Sequence, residues 1–370
     1  MRLVYASGSR VPSRSANSVH VMKMSAALSR TGHEVTLIAA DGDPGEPGVA
    51  DPFSYYGVSP TFEVLRLPWI GVRGRGYHYG WRSAREARRR APALVYGRYL
   101  PSCWLCAEAG LPVVYESHAP KDDRLSRLLL WRLVRSGRLA RLVVITESLA
   151  RHYREAGVPA ELIQVVPDAA DAPVGEAARL GTGGRLQVGY VGHLYPGRGL
   201  EVIDALAERS PWADFHLVGN VGRGVEREIE RLRARPNVRI HGFVPPSETD
   251  RYRLGCDVLL APYQRSVAVY GGGGDTSAWM SPLKIFEYMA AGRAILCSDL
   301  PVLREVLVHG ETALLCPPDE PGAWVAALER LRDDVALRAR LGRSAEARFR
   351  RFHTWTSRAK RVLEGLEVGP

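Results

Sequence analysis

The segment SPLKIFEYMAAGRAI, residues 281–295, sets Lys284 and Glu287 one turn apart at the start of an apolar helix. Ser281 suits a helix cap, Pro282 a first turn and Gly292 an end. Lysine is rare in this chain: four (23, 121, 284 and 360) stand among 50 basic residues, the other 46 being arginine. A cation in the first turn of a helix opposes the helix dipole unless an anion joins it. Two readings are open. In one, Lys284 and Glu287 form a solvent-facing pair worth a few tenths of a kcal/mol. In the other, Lys284 meets a diphosphate while Glu287 accepts hydrogen bonds from a nearby hydroxyl pair, such as a ribose. A second stretch has compatible chemistry. YVGHLYPGRGLE, residues 190–201, puts a glycine-containing turn and Arg198 between a strand and a helix. Backbone N–H groups and a helix N-terminus can hold phosphate there. The stretch is not G-x-G-x-x-G, so an ordinary strand-to-helix loop remains open as well.

The elements that must position these residues alternate. MRLVYAS is a strand, SVHVMKMSAALSRTGHEV a helix capped near Gly32, and EVTLIAA a second strand. Further strands are expected at FEVLRLP, ALVYGR, PVVYESH, RLVVITES and IQVVPD, with helices at 77–91, 100–109, 122–138 and 146–156. DAADAPVGEAARLGTGG, 168–184, lacks periodicity and reads as a linker. The alternation then restarts from LQVGYVG and runs through the helix of residues 281–292 to a helical C-terminus. This order implies two successive parallel-sheet α/β domains. The expected division is 1–170 plus a terminal helix at about 353–370, a linker at 171–184, and a second domain at 185–352.

The 370 residues are too many for one ordinary core. At 46% hydrophobic and 24% charged, the composition is that of a globular chain. No apolar run approaches the ~20 residues of a membrane helix, and the apolar start is too short for a signal sequence, so a cytoplasmic location is expected. Cys103 and Cys106 form a C-x-x-C without the second pair or histidines that zinc needs. A redox pair and two small buried helix residues are both compatible with it. The net charge of +10 suits an anionic partner. No aromatic-studded basic groove marks a nucleic-acid partner. The Arg-rich stretches 81–92 and 122–144 read as solvated faces of core helices, with Leu125, Leu128, Leu129 and Leu133 toward the core. Peripheral contact with anionic lipid at the inner membrane face is the sharper alternative.

Taken together, SPLKIFEYMAAGRAILCSDLPVLREVLVHGETALLCPPDEPGAWVAAL, YVGHLYPGRGLEVI, HLVGN, VRIHGFV and SVHVMKMSAALSRTGHEV resemble the retaining family 4 type of GT-B glycosyltransferases. The resemblance spans nearly the whole chain and is most specific in its second half. It implies two Rossmann-like domains with parallel sheets facing a cleft, and a nucleoside-diphosphate sugar held mainly by the second. The family's diphosphate-binding cation falls on Arg198, where lysine is more usual, and His193 occupies an earlier arginine position. Lys284 and Arg198 would neutralise the leaving diphosphate. The ribose-binding glutamate falls on Glu287, and the base-contacting segment on Gly242, Phe243 and Val244. The donor-side set is completed by Gly192, Gly197, Gly219, Ser281, Pro282 and Leu283. The first-domain histidine near the donor sugar matches His118, and the acceptor-side loop carries Ser15, Asn17 and His20.

In one place the sequence departs from the family. Eight residues before Glu287, where the family has a first glutamate that touches the donor sugar, stands Trp279. Asp275 is a candidate substitute, and Gly271 to Gly274 a candidate lid. The resemblance implies transfer with retention at the anomeric carbon. No Asp-x-Asp stands where it would hold Mg²⁺, and Asp122-Asp123 suits a helix cap, so a metal-independent reaction without a resident cofactor is expected. A non-catalytic nucleotide- or lipid-binding protein of the same fold is the alternative.

Overall fold

The computed structural model describes residues 1–41, 49–70, 74–181, 184–268 and 274–366. Gly271 to Gly273 of the expected lid therefore lie outside the described residues. The chain divides into two compact units, Met1–Pro167 with Trp355–Pro370, and Asp168–Thr354.

In the first unit the strands are β1 (Arg2–Arg10), β2 (Glu34–Ala40), β3 (Glu63–Leu67), β4 (Leu94–Gly97), β5 (Val113–Ser117), β6 (Leu139–Val144) and β7 (Ile163–Val165). Between them run α1 (Ala16–Arg30), the short α2 (Pro52–Tyr56), α3 (Arg75–Arg89), α4 (Leu100–Glu108), α5 (Arg124–Arg135) and α6 (Glu147–Glu155). The sheet order is β3-β2-β1-β4-β5-β6-β7, and every pairing is parallel. Central strands such as LVYG and VVYES are buried throughout, as a sheet covered by helices on both faces requires. The order reverses between β1 and β4, which creates a crevice beyond their carboxyl ends.

The second unit contains β8 (Leu186–Val191), β9 (Ala213–Val218), β10 (Val238–Gly242), β11 (Val258–Ala261), β12 (Ala294–Ser298) and β13 (Leu314–Cys316). Its helices are α7 (Leu200–Arg209), α8 (Glu226–Ala234), α9 (Thr249–Gly255), α10 (Leu283–Ala290), α11 (Pro301–Arg304), α12 (Pro321–Asp333) and α13 (Val335–Phe352). The order β10-β9-β8-β11-β12-β13 is again wholly parallel, with its reversal between β8 and β11. Alternate residues feed two cores: Leu259 and Ala261 enter one, Val258 and Leu260 the other. The last helix, α14 (Trp355–Leu363), returns to the first unit. Arg141 donates to the Val362 carbonyl at 3.0 Å, and Gln164 to the Arg361 carbonyl at 3.0 Å.

Two local expectations change. The segment read as a linker belongs to the second unit: Ala178 N–H donates to the Arg251 carbonyl at 2.8 Å, and Leu180 is buried in the core. On α5, Leu129, Leu130 and Leu133 form the buried arc, while Leu125 and Leu128 turn outward beside Trp131. The helical period explains this, because 128 and 131 lie on the side opposite 133. Cys103 and Cys106 are free and buried on α4, and burial pushes the Cys106 thiol up to about 12. They are packing residues and not a reactive pair. Asp123 caps α5, accepting from Ser126 N–H at 2.9 Å.

Candidate active site

In the second unit the candidate residues gather at the carboxyl ends of β8, β9 and β10 and at the start of α10. Gly192 N–H donates to the Val218 carbonyl, and Gly219 N–H to the Gly242 carbonyl, each at 2.8 Å, so the three strand ends are tied together. Phe243 and Val244 follow directly, with Val244 packed against the core. Gly197 lies in the next loop with φ +83°.

Helix α10 begins at Leu283, with Pro282 in the cap position and no side chain capping the first turn. This corrects the reading of Ser281 as the cap. Its hydroxyl instead accepts from Asp168 N–H at 3.0 Å. Ile285 N–H donates to the Pro282 carbonyl at 3.0 Å, which leaves the Leu283 and Lys284 amides to a ligand or water.

Lys284 is not a surface residue: its relative exposure is 9%. Its Nζ lies 3.5 Å from the centre of the Tyr190 ring and 5.4 Å from that of Tyr263. The Arg198 guanidinium lies 4.4 Å from Tyr195 and 5.0 Å from the same Tyr263. Aromatic faces thus take the place of counter-ions. Among the described residues no carboxylate stands within ion-pair distance of either cation. Burial holds the Lys284 ammonium well below its ordinary pKa, and the Arg198 charge adds to this, with Glu287 acting the other way. Gly192 belongs to this arrangement, since a Cβ there would stand 2.9 Å from Lys284 Nζ, and its φ of +153° suits glycine alone.

Glu287 does not pair with Lys284. It meets Arg253 Nη2 at 2.6 Å, and Arg253 Nη1 meets Asp250 at 2.6 Å. Sequence reasoning missed Arg253, one arginine among many, whose partner lies 34 positions away. The carboxylate of Asp275 accepts from Val267 N–H at 2.9 Å and Ser277 N–H at 2.8 Å, so it braces its own turn.

In the first unit His118 follows β5, and its Nε2 contacts Glu116 Oε1. Glu116 is buried and also meets Arg358 Nη2 at 2.9 Å, His20 Nε2 at 3.1 Å and the Tyr96 hydroxyl. Burial would raise its carboxyl, but Arg358, then His20 and His118, hold it well below the ordinary carboxylate range. His20 is accordingly an interior residue, edge-on to Trp355 at 5.0 Å, and not part of a loop. Ser15 caps α1, accepting from Ser18 N–H at 3.3 Å. Asn17 lies in the first turn of α1 and lines a cavity that His118 shares. Of the three expected acceptor-loop residues, only Asn17 faces open space there. Glu116 and Arg358, 242 positions apart, were beyond reach from the sequence.

Two family profiles match the chain: Glycosyltransferase Family 4 over residues 18–172, and Glycosyl transferases group 1 over residues 185–334. The chain belongs to the family 4 type of GT-B glycosyltransferases. It is 25% identical over 374 residues to the phosphatidyl-myo-inositol mannosyltransferase of Mycolicibacterium smegmatis, covering 94% of this chain and 89% of that one. It is 43% identical over 147 residues to the O-antigen biosynthesis protein RfbC of Myxococcus xanthus, covering 39% of this chain and 10% of that one. Among solved structures, HepE of Anabaena in complex with UDP has a TM-score of 0.73 at 18% identity, with 98% of this glycosyltransferase and 99% of that chain covered. This last likeness concerns the fold, two parallel-sheet α/β domains.

Proposed function

We propose that this glycosyltransferase moves a sugar from a nucleoside diphosphate to an acceptor hydroxyl in glycan assembly, with retention of the anomeric configuration. One observation carries the reading. Lys284, which is buried, and Arg198, which is half-buried, have no counter-carboxylate among the described residues and stand beside uncapped helix amides at the carboxyl edge of a parallel sheet. Keeping a buried ammonium next to a second, half-buried cation is costly unless an anion completes the site. A diphosphate does so, and in the transition state it gains further charge as the glycosidic bond breaks. Glu287, held by Arg253, then offers its free carboxylate edge to a ribose. The HepE structure with UDP-glucose adds support for the donor class. Leaving-group stabilisation by two side-chain cations and helix amides is enough for a reaction without a resident metal or cofactor. In the first unit Arg358 already neutralises Glu116, so a cation among Glu116, His20 and His118 would meet a guanidinium. The test is incubation with UDP-, GDP- and TDP-sugars and assay of nucleoside diphosphate release, which Lys284→Ala should suppress.

A second reading, nucleotide binding without transfer, is favoured by Trp279 at the position of the family's first glutamate. Tight nucleotide binding with no release from any donor sugar would decide for it. Helix α5 also bears on location. Leu125, Leu128 and Trp131, the last 54% exposed, share an outward face with Arg127 and Arg135. This composition suits peripheral contact with an anionic membrane. No helix among the described residues is long and apolar enough to cross one.

A further inference from the structure

The first unit has a cavity of about 230 Å³ at the crevice where the strand order reverses between β1 and β4. Gly8, Asn17, Arg98, Ser117, His118 and Lys121 are among its lining residues. Its charge is unbalanced. Arg98 Nη1 is shielded from solvent and has no hydrogen-bond partner among the described residues. No carboxylate among them lies within ion-pair distance of the Lys121 ammonium. Burial lowers the Lys121 pKa and the Arg98 charge lowers it further, with Asp123 opposing. The one carboxylate on the wall, Glu116, is taken by Arg358, His20 and His118. Two helix starts add to the positive field. Asn17 sits in the first turn of α1, and α4 begins just beyond Arg98 and Tyr99 with no side-chain cap.

Arg98 and Lys121 are both half-buried, and an arginine with an unpaired shielded N–H that shares a cavity wall with a second cation is costly unless an anion joins them. A doubly charged oxyanion between them would satisfy both, and an arginine fork suits phosphate geometry. We propose that Arg98 and Lys121 bind a phosphoryl group carried by the acceptor. The word acceptor rests on the transferase reading above, whereas the phosphoryl site rests on the first unit alone.

The test is titration of the full chain with inorganic phosphate, followed by NMR or calorimetry, with UDP present in excess to occupy the second unit. The wild-type chain should bind phosphate. Arg98→Ala and Lys121→Ala should each weaken that binding at least tenfold, and Arg98→Lys, which keeps the charge, should recover part of it. Unchanged UDP affinity and an unchanged melting temperature keep a binding loss apart from a folding loss. Phosphate binding that is absent in the wild-type chain, or equal in all variants, overturns the proposal. If UDP fails to bind, the donor assignment fails, while loss of phosphate binding in the Arg98 and Lys121 variants still upholds this site. Sedimentation with phosphatidylglycerol vesicles identifies the source. Loss of both phosphate and vesicle binding in the double variant places the phosphoryl group on a lipid headgroup. Loss of phosphate binding alone places it on a soluble acceptor.

Discussion

Lys284 packs against Tyr190 and Gly192, so its ammonium is fixed before any ligand arrives. Lys284→Ala removes that charge and leaves only a small void beside the loop. Turnover, measured as nucleoside diphosphate release, should fall about 10²–10³-fold, the scale of losing one transition-state donor, while thermal melting changes little. The depressed pKa of the same group has a definite sign. In the free enzyme the ammonium gives up its proton at lower pH than an ordinary lysine, and a bound diphosphate raises that pKa again. Binding should therefore take up protons and weaken as pH rises. Calorimetry in buffers of different ionisation enthalpy checks both, and Lys284→Ala should abolish the uptake. This residue was legible in the sequence because lysine is scarce here and a first-turn cation is anomalous. The role of Ser281 was not, since its partner Asp168 is 113 positions distant.

Helix α14 contributes a charge to a core it joins late. Arg358 is 1% exposed, and it bonds the Pro167 carbonyl at 3.0 Å as well as Glu116. Arg358→Leu leaves a buried carboxylate with only histidines and Tyr96 around it, which should cost about 3–5 kcal/mol in urea unfolding. The double variant Arg358→Leu, Glu116→Leu should cost less than the sum of the two single changes. The Glu116 carboxyl has a folded-state pKa below its unfolded value. Its contribution is thus present above ~pH 4.3 and disappears as pH falls through the lower, folded-state value. Acid unfolding followed by circular dichroism should shift to higher pH in Arg358→Leu. At this scale the strands were legible because buried parallel strands are near-continuous apolar runs. The outward face of α5 was not, because five leucines within nine positions do not say which arc the sheet covers.

On the scale of the molecule, each of the two sheets has its own reversal of strand order, and each reversal has its own candidate ligand site. If the donor binds only the second unit, a saturating nucleoside diphosphate should stabilise that unit and leave the other unchanged. Differential scanning calorimetry should show one transition moving, by about 2.7 kcal/mol at a hundredfold excess over Kd. The alternation of elements gave away this twofold architecture, whereas the boundary near residue 168 rests on contacts such as Ala178 with Arg251 that no local pattern announces. The second unit, Asp168–Thr354, is an insertion between the first unit's last strand and its last helix. A ribosome making this chain therefore completes all seven strands of the first sheet long before it supplies Arg358. Until α14 emerges from the exit tunnel, Glu116 waits without its guanidinium. Nascent chains stalled at residue 354 should be cleaved readily by protease within the first 167 residues, and chains released at full length should resist it.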